Sequence, residues 1–365
     1  MRRIVIDARI INSTTGRYVE RLVEHLQAVD TENHYIVLVP EKDKDFWQPT
    51  AANFEVQVAN FGNYSFGEQF GLAKLLYSLK PDLVHFCMPQ QPIGYFGRHV
   101  TTVHDLTLLR TYNSDKNWLN YHLKQFVGRI VFFIIAYSSK YIITPTEYTK
   151  KAYATFAKIS EKKITVTYEA SDIPDTTKDS VKLPEKDFLL YVGQQSDYKN
   201  IRRLIQAHQL LRTTHPQLSL VLVGAKNESL KRNEAWVKEH HFQGVHFTGF
   251  VSNAQLAWLY TECAAYVFPS LMEGFGLPGL EAMSFGAPVA SSNATCLPEV
   301  YEDAAHYFNP LSVSEMAQKI GEVIDDKTLR ATLVTAGLKQ VKKYSWHKMA
   351  QQTHQVYLQA LPENE

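Results

Sequence analysis

Short β-branched runs alternate along the chain with longer segments whose apolar residues follow helical spacing. This alternation is typical of parallel sheets with helical crossovers on both faces, so the sequence predicts the α/β class. In the first half, strands are expected at residues 4–7, 35–39, 55–58, 83–86, 101–104, 141–144 and 164–166. In the second half, they are expected at 188–192, 218–223, 245–247, 265–268 and 288–290.

A polar, proline-punctuated stretch without apolar periodicity interrupts this pattern at residues 171–186. We interpret it as a linker between two Rossmann-like, doubly wound domains, 1–170 and 187–345, with ligands in a cleft between them. The length of 365 residues also fits two domains of about 150 residues each. An amphipathic helix is expected at 346–362, with the first domain as its candidate packing partner.

Composition and charge exclude several classes of protein. A formal net charge of +1 gives no global electrostatic case for nucleic-acid binding. The cysteines Cys87, Cys263 and Cys296 have no CxxC spacing, so neither a disulfide framework nor a zinc site is predicted, and a reducing, cytoplasmic compartment fits. The longest apolar run, 130–137, is far shorter than the ~20 residues that span a bilayer.

The segment with the clearest chemistry is Glu273-Gly-Phe-Gly-Leu-Pro-Gly-Leu-Glu281. It follows a buried strand, and its glycines and proline predict a turn that opens a helix and lets a ligand approach the backbone. The free amides at the start of that helix favour a diphosphate, and Glu281 can accept hydrogen bonds from ribose hydroxyls. A bare pair of carboxylates at this spacing is more often a solvated surface pair, but the residues between them favour a binding site.

This segment, within residues 269–289, resembles the signature of glycosyltransferase family 4, whose members have the GT-B fold. Further stretches match in order at 190–193, 199–205, 222–224, 291–293 and 297–299, and more weakly at 6–9, 16–18, 102–106 and 146–149. The resemblance implies a retaining hexosyltransferase that uses a nucleoside diphosphate sugar.

The resemblance also implies roles for individual residues. Glu273 would contact the transferred hexose, Lys199 would neutralise the diphosphate, and His104 would lie beside the donor sugar. Two alternatives stay open, since Lys199 also fits an exposed lysine at a helix start and His104 a buried, hydrogen-bonded side chain. The remaining donor-binding positions are Gly16, Arg17, Gly193, Gln194, Phe275, Gly276, Leu277 and, for the ribose, Glu281.

One position departs from the family pattern. Members usually carry an arginine directly after the glycine that corresponds to Gly193, whereas this chain has Gln194. A neutral amide lacks the charge-assisted hydrogen bond to phosphate, which contributes about 1.5–3 kcal/mol. We hypothesise that Arg17 supplies the missing charge.

Metal and membrane partners can also be judged from the sequence. The only Asp-x-Asp string is Asp43-Lys-Asp45, in a charged surface run, so neither a metal nor another cofactor is expected. Residues 116–163 hold nine lysines and arginines against two acids, interleaved with aromatic residues. This mixture fits peripheral contact with the anionic inner face of a membrane and a lipid-linked acceptor, and core helices with solvated lysines fit it as well.

The proposed substrates rest on resemblance to bacterial polysaccharide enzymes. GDP-mannose is the favoured donor, ahead of UDP-glucose, UDP-N-acetylglucosamine and dTDP-rhamnose, and a glycan or lipid-linked sugar is the expected acceptor. Two other functions stay open: a nucleotide-sugar epimerase or hydrolase of the same fold, and a catalytically weak relative that binds a nucleotide sugar.

Overall fold

The structure is a computed structural model that describes residues 1–13, 15–63, 65–111, 118–172, 177–183 and 187–362, without the side chains of 118–121. The described chain forms two compact units. The first contains Met1–Leu109, Lys124–Glu169 and Ser345–Glu365, and the second contains Arg110–Leu123 and Ala170–Tyr344. Of the described residues, 110–111 and 118–123 were expected in the first domain but group with the second. Parts of the expected linker, 173–176 and 184–186, lie outside the described residues.

Each unit is built on one parallel sheet. Within the described residues of the first unit, the sheet has seven strands in the order β3-β2-β1-β4-β5-β6-β7. They are β1 Arg3–Asp7, β2 His34–Val39, β3 Phe54–Val58, β4 Leu83–Phe86, β5 His99–Thr102, β6 Tyr141–Thr144 and β7 Ile164–Val166. The strand order reverses at β1, which pairs with both β2 and β4.

The second sheet repeats this plan. Over the described part of that unit it has six strands, in the order β10-β9-β8-β11-β12-β13. They are β8 Phe188–Val192, β9 Ser219–Val223, β10 Val245–Gly249, β11 Ala265–Phe268, β12 Val289–Ser292 and β13 Ala305–Phe308. The order reverses at β8, between β9 and β11, and ligands of such sheets bind outside the carboxyl ends of the strands at this kind of reversal. The α/β, doubly wound class predicted from the sequence is confirmed.

Helices cover the crossovers between the strands. In chain order they are α1 Gly16–Val29, α2 Ala73–Leu79, α3 Thr107–Arg110, α4 Trp118–Ser138, α5 Glu147–Ala157, α6 Ile201–Leu211, α7 Glu228–Glu239, α8 Asn253–Glu262, α9 Leu277–Ser284, α10 Leu297–Tyr301, α11 Val313–Asp325, α12 Lys327–Gln340 and α13 Trp346–Ala360. A π-helical segment, Gly67–Leu72, leads into α2. None of the helices within the described ranges is long and apolar enough to cross a membrane.

Local sequence sets several of the helix starts. Ser252 caps α8 in a capping box with Gln255, and Asp326 accepts hydrogen bonds from the first amides of α12. Ser345 caps α13 in the same way, through the amide of Lys348. These short polar residues accept hydrogen bonds from amides that have no partner inside the helix.

Helix α13 belongs to the first unit, although it follows the whole second unit in the chain. Its apolar face packs against α1, and its Tyr357 hydroxyl reaches the buried His85 Nδ1 at 2.6 Å. The other ring nitrogen of His85 lies 2.8 Å from Thr102 Oγ1, and that hydroxyl lies 3.0 Å from the Tyr18 hydroxyl. Burial lowers the pKa of His85 to about 3, so the ring is neutral in this network.

Candidate active site

Two loops of the second unit meet where the neighbouring strands β8 and β11 end. Lys199 closes the short 3-10 turn Asp197–Lys199 after β8, and Glu273 lies in the loop after β11. Lys199 Nζ donates a hydrogen bond to Glu273 Oε1 at 2.6 Å, and the two side chains are 14% and 13% exposed. Neither is therefore a solvated surface residue, and the structure brings together two residues to which the sequence assigned catalytic roles.

Lys199 is held as a cation. Burial by itself lowers the pKa of its ammonium, but Glu273 and the nearby Tyr198 and Tyr191 outweigh that effect and raise the pKa above its usual value. The rings of Tyr198 and Phe268 lie 5.2 and 5.6 Å from Nζ, within range of a cation–π attraction. The site thus presents a fixed positive charge beside a carboxylate.

Backbone hydrogen bonds tie the Lys199 loop to the strand ends. The Leu271 amide donates to the Tyr198 carbonyl at 2.8 Å. The Asn200 side-chain amide donates to the carbonyls of Pro269 and Pro310 at 3.0 and 2.7 Å. Asn200 has a φ of 64°, a left-handed conformation that asparagine tolerates better than most residues. The position of Lys199 is therefore set by buried contacts.

The loop after β12 positions the backbone of Glu273. The Glu273 amide donates to Thr295 Oγ1 at 3.2 Å, and its carbonyl accepts from Cys296 Sγ at 3.4 Å. Glu273 is thus held on its side chain by Lys199 and on its backbone by a third loop. The sequence did not predict roles for Thr295 and Cys296, which lie next to a stretch that carried the family resemblance.

Glycine is required at the start of α9 for a reason that the sequence did not show. Gly276 has a φ of 99°, and a Cβ built there would lie 2.6 Å from the Tyr301 hydroxyl and 2.8 Å from a methyl group of Leu297. A Cβ on Gly279 would overlap the same hydroxyl. Tyr301 also donates to the Gly276 carbonyl. Packing of the turn on Tyr301 therefore requires glycine at both positions.

The other residues of the expected donor segment lie just before α9 or on it. Leu277 is the first residue of α9, and the buried Phe275 ring packs edge-on against Tyr344, with centroids 5.5 Å apart. Glu281 lies on α9, where the Tyr260 hydroxyl donates to its Oε2 at 3.3 Å. Tyr260, from α8, is a second partner that the sequence did not predict.

The loop after β8 carries the unusual Gln194. Gly193 has a φ of 145°, and the Tyr191 hydroxyl donates to the Gln194 carbonyl at 2.6 Å. The Gln194 side chain is exposed. The next residue, Gln195, is buried and accepts a hydrogen bond from Asn233 at 3.1 Å. Its Nε2 has no partner among the described residues, so a donor group is left at the strand end.

His104 is the candidate catalytic residue of the first unit and follows β5. Its Nε2 lies 3.0 Å from the Cys87 carbonyl and its Nδ1 lies 3.3 Å from Glu169 Oε1. Burial lowers the pKa of His104, but Glu169, the Cys87 carbonyl and Asp105 together raise it above its usual value. Because both ring nitrogens face acceptors, the arrangement favours the imidazolium.

Gly16 and Arg17 begin α1 in the first unit. A Cβ on Gly16 would overlap the carbonyls of Ile10 and Ile11, so only glycine fits between the helix and the loop after β1. Arg17 is the exposed second residue of the helix. Asp43, which the sequence placed on a charged surface, is instead buried and accepts a hydrogen bond from Asn12 at 3.0 Å.

A buried ionic group lies at the C-terminal end of β1. Arg9 binds both carboxylate oxygens of Asp7 at 2.8 Å, and its Nη2 also donates to Glu68 Oε1 at 3.0 Å. All three side chains are almost inaccessible to solvent. The guanidinium thus links β1 to the π-helical segment, a contact across 59 residues that the sequence did not predict.

Comparison with known families gives two matches that together cover most of the chain. Residues 15–173 match the model described as Glycosyltransferase Family 4, and residues 172–340 match the model described as Glycosyl transferases group 1.

Curated relatives extend this result. The O-antigen chain mannosyltransferase B of Escherichia coli is 31% identical over 280 residues, which cover 71% of this chain and 70% of that protein. A serotype-specific mannosyltransferase WbdA of the same organism is 28% identical over 93% of this chain, which spans only 45% of the larger protein.

Solved structures share the fold at low sequence identity. A sucrose-phosphate synthase from Thermosynechococcus elongatus superposes with a TM-score of 0.76 at 19% identity, covering 98% of this chain and 99% of that one. WaaG, a glycosyltransferase involved in lipopolysaccharide biosynthesis, gives a TM-score of 0.70 at 14% identity, with 97% and 98% coverage.

Proposed function

The chain belongs to glycosyltransferase family 4, and from that membership we propose that it is a retaining hexosyltransferase. It moves a hexose from a nucleoside diphosphate sugar to a glycan or lipid-linked acceptor in the synthesis of a cell-surface polysaccharide. The proposed donor is GDP-mannose. Support for mannose and for polysaccharide synthesis comes from the names of the curated relatives, which are mannosyltransferases of O-antigen chains.

The observation that carries this proposal is the buried pair of Lys199 and Glu273 at the carboxyl ends of adjacent strands. Departure of a nucleoside diphosphate leaves negative charge on the phosphate and positive charge on the anomeric carbon. A fixed ammonium and a fixed carboxylate, 2.6 Å apart, match those two charges. In the proposed complex, Lys199 exchanges part of its contact with Glu273 for the diphosphate, and Glu273 faces the hexose.

The remaining donor contacts extend from this pair. The backbone amides of Phe275, Gly276 and Leu277, at the start of α9, bind sugar and phosphate, and Glu281 binds the ribose. Lys199 and these amides supply the charge that a metal ion would otherwise supply, so the proposed reaction is metal-independent.

The anomeric configuration is retained if the acceptor attacks the anomeric carbon from the same face of the sugar that the phosphate leaves. The departing phosphate then takes the acceptor's proton, and no covalent sugar–enzyme intermediate forms. His104 lies beside the donor sugar in the proposed complex, with its ring held by the Cys87 carbonyl and Glu169. Arg17 is the cation that we propose in place of the arginine replaced by Gln194.

A lipid-linked acceptor would bring the enzyme to a membrane. We propose peripheral contact through residues 116–163, at the inner face of the cytoplasmic membrane. In the structure, several apolar side chains of α4 are exposed, including Phe126 and Phe133, which supports a surface role for this segment.

The proposal is tested by a donor screen with the wild-type chain and Lys199→Met. GDP-mannose should raise the melting temperature of the wild type, since a ligand at 100 times its Kd stabilises by ~2.7 kcal/mol. Lys199→Met should lower kcat/KM by about 10²–10³, as expected for loss of one preorganised charge donor. Lys231→Met is the control, because Lys231 forms a comparable pair with Glu228 on the exposed surface.

Product analysis by NMR separates the alternatives. An α-linked mannoside that forms only when acceptor is present supports the proposed transferase. Turnover of donor without acceptor would instead indicate an epimerase or hydrolase, and donor binding without any turnover would indicate a binding protein. An equal effect of Lys199→Met and Lys231→Met would contradict the assigned role of Lys199.

A further inference from the structure

A groove in the first unit lies at the end of the sheet opposite to His104. It opens where β5, β6 and β7 begin, whereas His104 follows the end of β5. Its volume is about 780 Å³. The side chains that matter here are Phe96, Arg98, Tyr137, Lys140, Lys162 and Lys163. The proposed donor and catalytic residues do not line it.

The groove carries positive charge that is not neutralised. Lys140 and Lys162 are exposed, and no carboxylate of the described residues lies within ion-pair distance of them or of Lys163. Lys163 Nζ donates to the carbonyls of Ala136 and Tyr137, at the C-terminal end of α4, at 2.7 and 3.1 Å. Burial and the charge of Lys140 lower the pKa of Lys163, as expected for neighbouring cations without an anion between them.

An apolar face of α4 continues from this groove. Phe126, Ile130, Phe133 and Tyr137 are 63%, 43%, 47% and 56% exposed, and their spacing places them along one side of the helix. Tyr137 ends this row and also lines the groove, and Phe96, on the groove's rim, is 87% exposed. Exposed apolar surface of this extent next to basic residues is unusual on a protein that contacts only water.

We propose that the groove seats the phosphate of an anionic phospholipid headgroup while the apolar row of α4 enters the interfacial layer of the bilayer. Ammonium and guanidinium groups bind phosphate through charge-assisted hydrogen bonds. The occupant is a lipid rather than a soluble phosphate, because a soluble anion would leave the adjoining apolar row in water. The inference rests on the membrane contact proposed above and adds the group that the contact recognises.

Flotation with phospholipid vesicles tests whether the groove binds an anionic headgroup. The full chain is mixed with vesicles of phosphatidylcholine alone or of phosphatidylcholine with phosphatidylglycerol, and glycosyl transfer to a soluble acceptor is measured in parallel. The groove variant is Lys140→Gln/Lys162→Gln. Its charge-matched control is Lys42→Gln/Lys44→Gln, whose lysines are 77% and 50% exposed. Phe126→Gln/Ile130→Gln removes part of the apolar row.

The wild type should float only with vesicles that contain phosphatidylglycerol. Each lysine near an anionic surface adds about fivefold in partition, so the groove variant should lose roughly 30-fold. The control should lose less than about threefold, since charges away from the contact are screened. The apolar variant should also lose binding, and none of the variants should lose soluble transfer.

Three results would contradict the proposed phosphate-binding site in the groove. Equal binding to both kinds of vesicle would contradict recognition of an anionic headgroup but leave the membrane contact. Equal losses in the groove variant and its control would show that net charge alone matters. If the protein does not float but still transfers sugar to the soluble acceptor, both the membrane contact and the phosphate-binding site are contradicted. The proposed transferase function would still hold.

Discussion

At the scale of single residues, the electrostatics of the site depend on partners that lie far away in sequence. Glu169 raises the pKa of His104 across 65 positions, and Glu273 keeps Lys199 charged across 74. In both cases a carboxylate favours the protonated form of a nearby buried side chain. The protonation of each candidate catalytic group is therefore influenced by tertiary contacts and not by its own motif alone.

Replacement of Glu169 by glutamine should lower the pKa of His104, because the carboxylate that favours the imidazolium is removed. The His104 resonances in NMR titrations should then shift at lower pH than in the wild type. Glu322→Gln is the control, since Glu322 pairs with His306 in the second unit and should leave His104 unaffected. An unchanged His104 titration in Glu169→Gln would contradict this assignment.

The same pair predicts a dependence of stability on pH. The folded-state pKa of His104 is raised, so the stabilisation by the pair is complete below the unfolded value of about 6.5. It is lost as the pH rises through the folded value. Chemical denaturation should show this decline in the wild type and a weaker one in Glu169→Gln.

The sequence predicted candidate residues for the chemistry but not the residues that hold them in place. Lys199 and Glu273 were proposed because they lie in stretches that resemble the family pattern. Glu169, Thr295 and Tyr301 act only through their tertiary contacts, and a single sequence contains no periodicity or spacing that reports such contacts. The contact of Gly276 and Gly279 with Tyr301 was missed for the same reason, since it forms only when the chain folds.

At the scale of secondary-structure elements, the turn into α9 is shaped by a side chain from α10. Tyr301 donates to the Gly276 carbonyl and occupies the space that a Cβ at Gly276 would need. The start of α9 therefore cannot shift without moving α10. This coupling explains how a loop with several glycines can still be well positioned for binding.

Gly276→Ala should destabilise the protein more than Gly286→Ala. Both glycines have positive φ, so either alanine costs about 1–2 kcal/mol in backbone strain. Only at Gly276 does the new Cβ also clash, which adds about 1–3 kcal/mol, because the nearest atom at Gly286 is 3.9 Å away. Denaturant unfolding measures both, and equal losses would contradict the role of Tyr301.

The elements themselves were largely predictable. Twelve strands predicted from apolar runs are present, with end points that agree to within two residues. The sequence missed β13, Ala305–Phe308, which among the described strands pairs with β12 alone, at the edge of its sheet. Its two central residues, His306 and Tyr307, are partly exposed, so the segment lacks the continuous apolar run by which the buried strands were recognised.

At the scale of the whole molecule, the first unit is assembled from separate parts of the chain. Helix α13 fills a face of the unit that the N-terminal residues leave open, with Trp346, Met349, Val356 and Tyr357 buried. Polar contacts add to this packing: His354 pairs with Asp30 at 2.9 Å, and Arg98 donates to the Ala360 carbonyl at 2.8 Å. The unit needs this helix to complete its core.

Deletion of residues 345–365 should unfold the first unit and leave the second folded. The second unit has its own sheet and core between residues 170 and 344. Limited proteolysis with mass spectrometry should show rapid cleavage within residues 1–109 and protection of 187–344. Deletion of 363–365 alone is the control and should leave the wild-type pattern. Protection of both units after the longer deletion would contradict a structural role for α13.

The position of α13 also has a consequence for biosynthesis. On the ribosome the N-terminal sheet emerges first, but the helix that covers α1 is translated only after the entire second unit. The unit that is made first is therefore finished last, and its uncovered apolar face is exposed while about half of the polypeptide is still being added. During that interval the nascent chain is a natural client for chaperones that bind exposed apolar surface.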